Sequence, residues 1–230
     1  KLGYSNFLEM QAAFREYTHS MVKLLSSPQY FVPDATITDV EGKSELLRQI
    51  CREEAEASQR FFSSLDLLSI ISAAEAIRGA KRIFICAHDI SHVLAEFLYA
   101  RLKLLYFDVC LIDLTDLNDT QDKLDMLTSQ DLVIFIAFPK YYYPLASIAK
   151  NAFSHGATIL TITDSVSSPT AQYSKHLLVC YTATRVFYNS LTLPMAMANL
   201  LLSYLVIDLG PDSRSRDLSN ANASNTNNLK

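Results

Sequence analysis

Glycine is scarce, at five in 230 residues. None stands in the three loops singled out below, so the tight backbone cradle that a nucleotide pyrophosphate needs is missing. No glycine-rich phosphate loop, nucleophile elbow or His-Asp-Ser order occurs, which disfavours dinucleotide enzymes and serine hydrolases. Cysteine is sparse too: Cys51, Cys86, Cys110 and Cys180 show no CxxC spacing. The last three lie in or at the ends of apolar runs and read as buried free thiols, the pattern of a reducing cytoplasm. Basic runs are absent. The formal net charge is −4 and the sequence pI is near 5.7, whereas a free-standing nucleic-acid binder carries a basic face. Uninterrupted apolar runs of membrane-span length are also absent. The longest, over 191–209, contains Pro194, Asn199, Ser203 and Asp208 and reads as a core helix, so no membrane partner is expected.

Half of the residues are hydrophobic, enough for a sizeable core in a chain that suits one medium domain plus appendages. Phe7, Met10, Ala13, Phe14, Tyr17, Met21 and Leu24 form an i, i+3/i+4 stripe, an amphipathic helix over 5–25. Residues 26–42, with Pro28, Pro33 and Gly42, read as a linker. From 43 to 80 the period is again helical, as two helices broken near 63–66 and ended at Gly79. Short apolar runs then alternate with helical stretches. The expected strands are 82–86, 107–111, 131–137, 158–161 and 176–179. The expected helices are 90–105, 118–127, 143–155, a short one at 168–173, and 189–209. Strands apolar along their whole length are buried on both faces, and strand–helix alternation implies crossovers. The expectation is an α/β domain with a doubly wound, five-stranded parallel sheet of flavodoxin-like type, led by N-terminal helices. Residues 210–230 are low-complexity, rich in Ser and Asn, and are expected to be disordered.

In an open parallel sheet, ligands bind beyond the carboxyl ends of the strands. Three loops therefore matter: 87–91, 138–143 and 163–168. In the first, Asp89 or Ser91 can cap the following helix, whose free N–H groups favour an anion. In the second, Lys140 can neutralise a phosphate, although a solvated surface lysine is the commoner case, and three successive tyrosines suit a pocket or an interface. In the third, Ser167 or Ser168 before Pro169 looks like a helix start. His88 and His92 have the helical spacing of metal ligands, but no third ligand stands in a clear relation to them, so no metal and no cofactor are expected.

Residues 83–91 (Ile-Phe-Ile-Cys-Ala-His-Asp-Ile-Ser), 131–141 (Asp-Leu-Val-Ile-Phe-Ile-Ala-Phe-Pro-Lys-Tyr) and 157–165 (Ala-Thr-Ile-Leu-Thr-Ile-Thr-Asp-Ser) occur in that order. Ser168-Pro169, Phe187 and Ser190 follow them. This series resembles the SIS (sugar isomerase) domain of RpiR-type transcription regulators. Residues 1–7 (Lys-Leu-Gly-Tyr-Ser-Asn-Phe) are similar to the end of that family's helix-turn-helix domain. The resemblance implies an SIS domain with its leading helices over 43–209, preceded over 1–25 by the tail of a DNA-binding domain. The DNA-reading residues would precede Lys1, and the chain is expected to be a piece of a longer protein. It further implies a phosphorylated sugar or amino sugar as effector, no enzyme activity, a homodimer or tetramer, and contact with DNA only through the missing part. The pocket residues it points to are Ser91, Lys140, Tyr141, Tyr142, Asp164 and Ser165. The sequence departs from the pattern where Ala87 and Asp89 replace glycines, and where Ala137, Pro139 and Tyr142 replace hydroxyl donors. A dimerisation module with a degenerate pocket is therefore the alternative, and a sugar-phosphate isomerase a more distant one.

The helical stripes carry more apolar surface than one small sheet needs, which implies pairing. Light scattering is expected to give a mass of twice 25.8 kDa or a multiple, with no tight sequence-specific DNA binding. A monodisperse monomer at micromolar concentration contradicts this.

Overall fold

The computed structural model describes residues 37–115, 117–186 and 189–210. The expected helix over 5–25, the greater part of the linker, Phe187 and the C-terminal tail beyond Gly210 lie outside these residues. The chain divides into two compact units. One holds the described residues 37–55 and 184–186, the other 56–183 and 189–210.

Helix α1 (Val40–Ser63) begins inside the stretch read as linker, with Asp39 accepting the Gly42 N–H at 3.1 Å, and it buries no residue. In the first unit it carries the ion pairs Glu45–Arg48 and Glu45–Arg52, each at 2.9 Å, and Glu53 accepts both arms of the Arg185 guanidinium. Helix α2 (Leu67–Gly79) starts where Asp66 accepts the N–H groups of Leu68 and Ser69 at 3.0 and 3.2 Å, a side-chain cap that explains the break after Ser63.

The second unit contains the sheet. Its strands are β1 (Arg82–Ala87), β2 (Val109–Leu111), β3 (Asp131–Ala137), β4 (Thr158–Thr163) and β5 (His176–Val179), all parallel, in the order β2-β1-β3-β4-β5. Between them run α3 (Ser91–Leu104), α4 (Leu117–Asp125) and α5 (Pro144–Ser154), and α6 (Thr192–Leu209) closes the unit. The doubly wound parallel architecture is therefore observed. Period-2 alternation sends Ile83, Ile85, Leu132, Ile134 and Ile136 into one core with α2, α3 and α6. It sends Phe84, Cys86, Val133 and Phe135 into a second core with α4 and α5. Two such cores are why these strands are apolar along their length.

The differences from expectation are local. Helix α6 starts at Thr192, not 189, because the Ser190 N–H is spent on Thr182 O at 2.8 Å and Ser190 Oγ accepts the Thr192 N–H at 3.4 Å. It is long and apolar enough to cross a membrane, but Leu193, Met197, Leu201 and Leu205 are buried in the first core, as suits a core helix. In place of a helix at 168–173 there is one 3-10 turn, Ala171–Tyr173.

One ion pair ties the amino ends of β1 and β3. The buried Asp131 carboxylate accepts from Arg82 Nε and Nη2 at 2.9 and 2.7 Å, and from the N–H and Oγ1 of Thr128 at 2.7 and 2.9 Å. Burial pushes this carboxyl up, but the hydrogen bonds from Arg82 and Thr128 outweigh it and hold it below the usual aspartate range. Asp131→Ala is expected to destabilise the protein by about 3 kcal/mol, the low end for breaking a buried pair, because Arg82 keeps access to water. A carboxyl depressed on folding stabilises above its unfolded value and loses that contribution as pH falls through the folded one. Urea denaturation should therefore show the gap between wild type and Asp131→Asn closing below about pH 4. A gap unchanged at acid pH contradicts the assignment.

Candidate functional site

The carboxyl ends of β1, β3 and β4 are adjacent in the sheet, so the loops leaving them form one crevice. After β1 the chain turns at Asp89, whose φ of 56° is left-handed, a conformation a short polar side chain tolerates. The turn is closed by the His92 and Val93 N–H groups donating to the carbonyls of Asp89 and Ile90 at 2.9 and 3.2 Å. Neither Asp89 nor Ser91 caps α3, contrary to expectation. The cap position falls on Ile90, which already has helical angles and makes no side-chain bond. Ser91 is buried, at 4% exposed, at the first helical position, and among the described residues no side-chain cap bonds the helix N-terminus.

After β3, Phe138 is buried, Lys140 is exposed, and Tyr141 and Tyr142 are half-buried. Tyr143 is 77% exposed, and Pro144 opens α5, where its missing N–H costs nothing. After β4, Asp164 and Ser165 are half-buried. Ser165 Oγ accepts the Ser167 N–H at 3.1 Å, a local turn that replaces the helix start expected at Ser167 or Ser168. Ser168 is itself buried, and its hydroxyl has no partner among the described residues.

The middle loop is tied to both neighbours by side chains. The Tyr142 ring stacks on the His88 ring, with centroids 4.0 Å apart and planes 8° from parallel. Tyr141 donates its hydroxyl to Asp164 Oδ1 at 2.6 Å. Burial first, and then Asp164, push the Tyr141 phenol well above its ordinary value, so it remains a donor at neutral pH. The fully buried Thr163 side chain donates to Ala137 O at 2.7 Å and also reaches Asp164 Oδ1 at 3.4 Å. Tyr141, Tyr142 and Asp164 are thus brought into one constellation. Ser91, Lys140 and Ser165 stand on the same three loops around it.

His88 and His92, which share the helical spacing of metal ligands, have separate partners: the His88 ring lies on Tyr142. His92 turns away towards Glu96, at 3.6 Å. Thr163 and Cys180 were not singled out as site residues. The Cys180 N–H donates to Thr163 O at 2.8 Å, and burial, then the Asp164 charge, push its thiol up to about 12. The Cys86 thiol is pushed up further by burial, so neither cysteine is a thiolate nucleophile at neutral pH. Among the described residues no three His, Cys, Asp or Glu side chains stand close enough to hold a metal ion. The crevice offers hydroxyls, a carboxylate, a lysine and aromatic faces, which is chemistry suited to holding a polar ligand.

Residues 76–204 match the SIS domain. The structure is similar to that of an RpiR transcription factor from Sphaerobacter thermophilus (sugar isomerase domain), at 23% identity and a TM-score of 0.70, covering 78% of this chain and 99% of that one. It is similar to the Vibrio vulnificus NanR protein complexed with ManNAc-6P, at 14% identity and a TM-score of 0.66, covering 96% and 76%. It also resembles the E. coli CFT073 protein c3406, at 15% identity and a TM-score of 0.57, covering 73% and 93%. No curated protein matches the sequence.

Tyr141→Phe removes the donor to Asp164 and is expected to cost about 1–2 kcal/mol, as for a partly buried hydrogen bond to a charged acceptor. Chemical denaturation measures it, and a variant as stable as wild type shows that the bond is exchanged for water without loss.

Proposed function

The chain belongs to the SIS domain family, and from that premise we propose that it is the effector-sensing and dimerising part of a bacterial, cytoplasmic, RpiR-type transcription regulator. Its effector is a phosphorylated sugar or amino sugar. The observation that carries this reading is the Tyr141–Asp164 hydrogen bond, which joins two of the three loops at the carboxyl edge; the same loops carry Lys140 and Ser165 and lead into Ser91 at the start of α3. The open helix terminus and Lys140 suit a phosphate, while the tyrosine hydroxyls and Asp164 suit sugar hydroxyls. One of the similar structures carries ManNAc-6P, and another is an RpiR transcription factor. The effector acts by favouring one arrangement of two DNA-binding domains over another, as any allosteric ligand must.

The reading is of a binding protein, not an enzyme. Aldose–ketose isomerisation needs a positioned base, and the three loops hold no glutamate, while Asp164 already accepts from Tyr141 and His88 is stacked on Tyr142. One observation favours the degenerate-pocket alternative: the half-buried Tyr142 is stacked at the strand ends, where a hydroxyl donor would otherwise face a phosphate.

Thermal-shift titration of hexose, pentose and amino-sugar phosphates separates the two readings. At a hundredfold excess over Kd, a true effector stabilises by about 2.7 kcal/mol. Lys140→Glu is expected to weaken that effector roughly 10- to 100-fold, the worth of one charge-assisted contact. If no sugar phosphate moves the transition, the ligand-free module is the correct reading.

A further inference from the structure

The sheet also has an amino edge. There the second half of α2, the turn before β3 and the first residues of β4 and β5 border a cleft of about 420 Å3. It lies at the opposite end of the strands from the three loops, and its size is in the range of small-molecule sites. The cleft exists because α2 presents Ser72, Ala76 and Gly79 to it at helical spacing. A Cβ placed on Gly79 would meet nothing within 4 Å.

Two opposite charges border this space without meeting. Glu75 on α2 and Lys175 just before β5 are exposed at its rim, and neither side chain has an ion-pair or hydrogen-bond partner among the described residues. His176 feels both charges, and its Nδ1 lies 3.1 Å from Ser72 Oγ. Burial, and then Lys175, hold this imidazole below its ordinary value, so it is neutral at pH 7 and adds no third charge. Asp131, the other carboxylate bordering the cleft, is fully engaged by Arg82 and Thr128.

A simple anion drawn to Lys175 is repelled by Glu75, a simple cation meets the reverse, and a neutral molecule leaves both charges unused. A molecule with one charge of each sign satisfies both at once. We propose that this cleft is a second binding site, for a small zwitterion of the amino-acid class, with its ammonium end on Glu75 and its carboxylate end on Lys175. Ser129, Gln130 and Thr158 form the polar wall beside it. The site is independent of the crevice and of whatever sugar phosphate binds there.

Amide chemical shifts of the whole chain, titrated with glycine, β-alanine and 4-aminobutanoate, test the proposal, since the series lengthens the separation of the charges. Acetate and butylamine are the singly charged controls. At least one zwitterion is expected to give saturable shifts at Ser72, Gly79, Gln130 and His176, with Kd on the order of 1 mM. Both controls should bind roughly tenfold more weakly. Gly79→Leu, which grows into open space, and Lys175→Glu should each abolish these shifts while the rest of the spectrum stays that of the folded protein. The proposal is overturned if no zwitterion moves these amides, if acetate alone moves them as much, or if folded Gly79→Leu still binds.

Discussion

Strand β3 has no exposed residue from Asp131 to Ala137, and it lies between β1 and β4, which are nearly as buried. A sheet covered by helices on both faces cannot offer a ligand its surface. The central strands reach solvent only at their ends, so the polar side chains described above gather at the two edges of the sheet, on loops, strand termini and the adjoining helix turns. The apolar cores make the edges rigid in turn: neighbouring loops leave from strands whose separation is set by the backbone ladder, not by the loops themselves.

The two edges are built differently. At the amino edge a charged pair, Arg82–Asp131, joins β1 to β3 and is saturated by Thr128, so that part is structural, while Glu75 and Lys175 beside it stay unpaired among the described residues. At the carboxyl edge an aromatic stack and a phenol–carboxylate hydrogen bond join the loops. Such ties are directional but individually modest, on the order of 1 kcal/mol, and can be exchanged for contacts to a ligand without unfolding the sheet.

Tyr142 covers the His88 ring, and Tyr141 occupies one oxygen of Asp164. Both contacts run between loops of the same edge. Ser91 is buried at the start of α3, and Lys140 is exposed on the loop after β3.

Much of the architecture was legible in the sequence by itself. Uninterrupted apolar runs such as Asp131–Ala137 declare strands buried on both faces, and the helical spacing between them declares the crossovers, because both periods follow from local backbone geometry. That geometry also identified the three loops, and the order of their motifs the SIS domain. What only the tertiary structure decided is partnership. Tyr141 meets Asp164 across 23 residues, and His88 lies under Tyr142 across a longer span, because the register of β1, β3 and β4 aligns the strand ends. The caps expected from Asp89, Ser91 and Ser168 do not form: Ile90 already has helical angles at the cap position, and the Ser168 hydroxyl is buried without a partner among the described residues. Pairing of Glu53 with Arg185, the isolation of Glu75 from Lys175, and the cleft beside Gly79 likewise depend on residues far apart in the chain. Sequence patterns report forces that act within a few residues, whereas side-chain partners are chosen by distances that exist only once the sheet has formed.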